Sequence, residues 1–288
     1  MFWRKKKTEP RDPAEKYRGE PTYEEFMASP LESGRLTFEV SGAYPLETGL
    51  GLSLHMPFGE PEFHAVDAPP RVLSPQGSRS EAKVHKYLTR GLQSMWGVSD
   101  PDGLIGTVNH LLSSPGETGY RIYRPHLQKL VNESAGDRAA AAPKIMEEAL
   151  AELEASGIES PAATQDLQEW VNVLADPASV HVLPNRLPYD VAGWDIVRAA
   201  WLLRMGCLVG MISVNDLLHY SERVLRIARG HAGSWREYVD GFLLGRAHWE
   251  ESVTDETWEM RDMMQCRLNH PESMWAKYPL HVSNEGEN

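Results

Sequence analysis

Cysteine is almost missing from this chain. Only Cys207 and Cys266 occur in 288 residues, far apart and each in an apolar helical context. Two isolated thiols make neither a disulfide framework nor a metal-ligand spacing, and they read as buried free thiols in a reducing compartment. Long apolar runs are missing too. The longest, Ile196 to Ile212, carries Arg198 and Arg204, which fits a buried core helix and no membrane span. Charges follow Trp3 at once with no apolar segment after them, so no secretory signal is read and a cytoplasmic location is expected. Basic residues are the scarcer sign: 29 Lys and Arg stand against 41 Asp and Glu, a formal net charge of −12. Phosphate backbones reward clustered cations, so no nucleic-acid partner is expected. The one basic run, Arg4-Lys5-Lys6-Lys7, reads as a solvated terminus. Gly-rich phosphate loops after a strand and Gly-x-Ser-x-Gly elbows are also lacking, and no cofactor is expected.

What is present is enough for a core. The chain is 41% hydrophobic and 24% charged, ordinary globular values, and its nine tryptophans fall mostly at helical spacing. Residues 1–79 are charged and proline-rich. Within them Leu36, Phe38 and Val40, then Leu50, Leu52, Leu54 and Met56, alternate with other residues, and this period of two predicts a small β-hairpin over 36–56. From residue 80 the period turns helical. A stripe of Val84, Tyr87, Leu88, Leu92, Met95 and Trp96 ends at Gly97, and Asp100-Pro101 caps the next helix. Pro143 breaks the Ala-rich stretch 137–156, and Ser160-Pro161 opens another helix. Val191 to Val209, apolar nearly all round, is the expected central helix. Ser213 to Asp216 and Ser234 to Glu237 read as capping boxes, the second opening a helix with Trp235, Tyr238, Phe242 and Trp249 facing inward. The fold expected is mainly α: one helical domain, 80–268, of about seven to nine helices, preceded by the small extended element and followed by an acidic tail, 269–288.

Recognition rests on the stretch Gly193-Trp194-Asp195-Ile196-Val197-Arg198 and its sequel Leu203-Arg204-Met205-Gly206 through Gly210-Met211-Ile212. With Ser234-Trp235-Arg236-Glu237-Tyr238 and Gly245-Arg246-Ala247-His248-Trp249, it resembles the bacterial domain-of-unknown-function family 1266. The matching features are a Trp-Asp-x-x-Arg helix, an Arg-x-Gly and Gly-x-Ile turn, a Ser-Trp-x-x-Tyr helix start and a Gly-Arg-x-x-Trp close. The resemblance covers about residues 83–250 and is most specific over the last 60 of these. It implies a helical bacterial protein and no particular activity.

The charged residues inside this motif invite two readings. Asp195 and Arg198 are three apart on one face of a helix with little polar surface, and Arg246 lies on an apolar stripe with Trp235. A charge on an apolar stripe must be paired, so Asp195 is expected to accept from Arg198, Arg246 or both. Either the three form a polar site for an anionic substrate, or they form an interior ion-pair network that fixes helix register among Trp194, Trp201 and Trp249. The network is favoured. His248-Trp249-Glu250-Glu251 lacks a second His at helical spacing, so no metal is assigned and a solvated rim is expected. Tyr120 to His126 reads as a packed loop. The functional expectation is a non-catalytic protein that binds a basic protein partner, of the immunity or regulatory type. An enzyme acting on an anionic substrate through Asp195, Arg198 and Arg246 is the alternative.

Overall fold

An all-round apolar helix needs neighbours on every side, and the structure is arranged to supply them. The computed structural model describes residues 17, 19–31, 40–58, 65–70, 81–113, 118–158 and 160–281, and among these it contains thirteen α-helices and no strand. The central helix is α9, Gly193–Leu208. It packs against α4 (Pro101–Ser113), α10 (Val214–His231) and α11 (Trp235–Trp249). A second group of three, α5 (Thr118–Asn132), α6 (Arg138–Ala155) and α7 (Pro161–Ala175), joins this body where α7 meets α11. Of the rest, α3 is Glu81–Trp96 and α12 is Asp255–Asn269, while α1 (Tyr23–Ala28), α2 (Leu46–Ser53), α8 (Ser179–Val182) and α13 (Met274–Lys277) are short.

Many sequence signals hold. Asp100 caps α4 through the Gly103 N–H at 2.8 Å, and Leu104, Val108, Leu111 and Leu112 are buried as the stripe requires. Ser213 and Asp216 form a reciprocal capping box. Ser234 caps α11, but the Glu237 carboxylate reaches the Gly233 N–H and not that of Ser234. Two prolines are absorbed into helices, one where a break and one where a packed loop was expected. Pro143 lies early in the single helix α6, and Pro125 lies inside α5, so Tyr120 to His126 is helical. Tyr120 and Tyr123 both point into the core there, and packed tyrosines outweigh the lost backbone bond. Among the described side chains of α3 only Leu92 is fully buried, while Tyr87 and Met95 face out.

The predicted hairpin is corrected. Its second strand is helix α2 followed by a 3₁₀ turn, Met56–Phe58; residues 32–39, which include most of the first strand, lie outside the described residues. The physical reason is visible in the burial. Leu50, Leu52, Leu54 and Met56 are buried, but so are the intervening Gly51, Ser53 and His55. The alternation is not inside against outside, and the small Gly51 lets α2 lie close on α10. A Cβ added at Gly51 would stand 2.4 Å from the Ser221 carbonyl oxygen. The Arg204 guanidinium, 1% exposed, donates to the carbonyls of Leu52, Ala65 and Val66 at 3.2–3.4 Å and ties this region to α9. At the other end Trp275 stacks on Trp235 and its indole N–H donates to Ser53. Ser273, Met274, Trp275 and Leu280 are therefore buried against the helical body, and most of the residues around them are exposed.

Candidate functional site

The N-terminal half of α9 and the C-terminal half of α11 run side by side because small residues separate them. A Cβ at Gly193 would lie 2.6 Å from the Tyr238 carbonyl oxygen, so only glycine permits this approach. The result places Trp194, Asp195 and Arg198 beside His248 and Trp249, with Glu169 of α7 opposite. These six line a concave cleft of about 200 Å³. Glu251, in the left-handed region at φ 54°, closes the turn after α11 and lines the same cleft.

Asp195 and Arg198 form an ion pair, as the three-residue spacing suggested. Their side chains are 19% and 17% exposed, so they stand at the cleft wall and are not sealed in the interior. The Arg198 guanidinium lies over the ring of Trp194 at 4.8 Å and that of Trp96 at 5.9 Å. Arg246 does not join them. It pairs with Glu250 at 2.7 Å and Glu256 at 3.8 Å, between the rings of Trp194 and Trp249. Burial pulls its pKa down while those two carboxylates oppose the shift. The expected three-residue cluster is thus split into two ion pairs, Asp195–Arg198 and Arg246–Glu250, whose guanidinium groups both lie against Trp194. The i,i+4 spacing of Arg246 and Glu250 carried that signal. Of the remaining motif residues, Trp235 anchors α13, Trp201 packs on Phe58 and Trp96, and Arg204 clamps the N-terminal region. Trp249, expected inward, is 58% exposed.

His248 is the larger correction. It is no solvated rim residue: its ring stacks on Trp170 with centroids 3.9 Å apart and planes 7° from parallel. Its Nε2 lies 3.0 Å from Asp166 Oδ1 and 3.8 Å from Glu169 Oε2. Asp166 and Glu169 are three apart on one face of α7, and their carboxylates meet the imidazole across the interface with α11. Sequence reading missed both because some eighty residues separate them from His248. The Asp-x-x-Glu spacing beside the buried Trp170 was the only available signal.

The family comparison matches residues 91–280 to the family described as "Protein of unknown function (DUF1266)". Among curated proteins, the uncharacterized protein YbeR of Escherichia coli K12 is 30% identical over 74 residues and the uncharacterized protein YbeU of the same strain is 28% identical over 74. Each alignment takes in 26% of this chain and 32% of the relative, so the chain spans about a third of the length of these relatives. No solved structure matches.

Proposed function

The chain belongs to the DUF1266 family, whose description carries no activity, and from that premise we propose that it is a non-catalytic protein that captures a basic segment of a protein partner. One observation carries the reading. Trp249, 58% exposed, stands at the head of a stretch, 249–260, that contains Glu250, Glu251, Asp255, Glu256 and Glu259 and no Lys or Arg. Exposed tryptophans are frequent energetic anchors of interfaces, and since Glu250 and Glu256 already pair with Arg246, the charge offered to an arginine or lysine side chain rests on Glu251, Asp255 and Glu259. The net charge of −12 adds long-range attraction for such a partner. A role of the immunity or regulatory type fits this profile. The alternative, an enzyme for an anionic substrate, has less support: Arg198 is committed to Asp195 and Arg246 to Glu250 and Glu256, so neither is directed at an incoming anion.

The test is fluorescence anisotropy of a labelled Arg/Lys-rich peptide titrated with the full chain. Binding is expected to weaken steeply as salt rises from about 0.05 to 0.5 M. Trp249→Ala should weaken it at least about tenfold, the effect of losing an interface anchor. The triple reversal Glu251→Lys, Asp255→Lys, Glu259→Lys should remove it. Binding that ignores salt and both variants would reject the reading.

A further inference from the structure

We propose that Asp166, Glu169 and His248 form a binding site for a single divalent transition-metal ion, and this stands independently of partner binding. One ligand atom from each of the three lies within 4.8 Å of the other two. The two distances from Nε2, 3.0 and 3.8 Å, bracket the separation of neighbouring ligands that each sit about 2.0–2.2 Å from a common metal. Nε2 is shielded from solvent and, despite its closeness to Asp166 Oδ1, lacks the alignment of a hydrogen bond. An imidazole nitrogen facing a carboxylate oxygen at that distance calls for a cation between them, either a proton on Nε2 or a metal ion.

The surroundings hold the ligands as metal sites do. Each carboxylate spends its other oxygen on a donor: the buried Tyr123 hydroxyl donates to Asp166 Oδ2 at 2.5 Å, and the exposed Gln165 amide, one turn away on α7, donates to Glu169 Oε1 at 2.7 Å. The stack on Trp170 fixes the imidazole plane. Donors of this kind orient ligands and raise metal affinity. One nitrogen and two oxygens suit ions of the series from manganese to zinc. Calcium and magnesium ask for more oxygens and no imidazole. Three protein ligands leave further coordination positions, and the adjoining cleft, lined by Glu169 and His248 themselves, gives water access to them.

The experiment uses the untagged full chain after dialysis against a chelator. Zn²⁺ binding is followed by isothermal titration calorimetry and Co²⁺ binding by its visible absorption. One equivalent per chain is expected. Glu169→Gln, which keeps the side-chain volume, should weaken binding at least about tenfold, and Tyr123→Phe should weaken it less. His248→Ala should abolish it, while replacement of the exposed His219 by Ala should leave it intact. Should His248→Ala fail to fold, Glu169→Gln alone decides. Absence of saturable binding by either ion, or binding that Glu169→Gln leaves unchanged, would overturn the proposal.

Discussion

The two ends of helix α9 carry the same kind of residue to different purposes. Near its start, Arg198 is paired with Asp195 at the wall of an open cleft and lies against Trp194 and Trp96. Less than two turns later Arg204 is sealed at 1% exposure with its donors spread over three backbone carbonyls. Burial pushes the Arg204 pKa down to about 9. A buried cation held by carbonyl dipoles fixes a chain crossing, whereas an ion pair at a cleft wall costs less to form and less to lose. The interior network expected for Asp195, Arg198 and Arg246 describes Arg204 far better.

The largest effect should therefore come from Arg204. Arg204→Met keeps the apolar length but leaves three carbonyls without their donor, and it should cost on the order of 3–5 kcal/mol. Denaturant unfolding monitored by tryptophan fluorescence measures this. Arg204 closes the N-terminal region against the core, so a cost near zero would mean that α2 is not held as the packing implies.

The N-terminal attachment was the least legible part of the fold. Apolar stripes such as Leu104, Val108 and Leu111 announced their helices because polar residues fill the intervening positions. In α2 the intervening positions are Gly51 and Ser53, small enough to be buried, so periodicity alone could not distinguish a strand from an enclosed helix. Within the cleft, the Asp195–Arg198 pair was readable from its spacing. The Asp166, Glu169 and His248 convergence was not, because a helix interface made of residues distant in sequence leaves no local pattern. His248 was placed at a rim because its ring-stacking partner, Trp170, belongs to that distant helix.

A second clamp sharpens the same contrast at intermediate size. Asp240 on α11 accepts from the Tyr23 hydroxyl at 2.6 Å and from Arg236, which also pairs with Glu24, so α1 is fastened through it. Burial raises the Asp240 pKa from 3.8 to about 6, against the opposing pull of Arg236. The fold thus favours its protonated form. The stability this contributes is full below pH 4 and is lost as pH rises through 6. Over that window the loss should reach about 2–3 kcal/mol, as two pKa units imply. Asp240→Asn should flatten this part of the stability–pH curve, and urea midpoints taken across pH 4–7 provide the check. An unaltered slope in the variant would assign the pH dependence elsewhere.

The smallest change is expected at Asp195, and it bears most directly on the division of α9 into an open and a sealed end. The decisive measurement is the unfolding free energy of Asp195→Asn set beside that of Arg204→Met under identical conditions. With its ion pair at a cleft wall and not in the interior, Asp195→Asn should cost about 1–2 kcal/mol, clearly less than Arg204→Met, and leave a folded, cooperative protein. A cost for Asp195→Asn equal to that of Arg204→Met would contradict the open cleft and restore Asp195 to the interior framework.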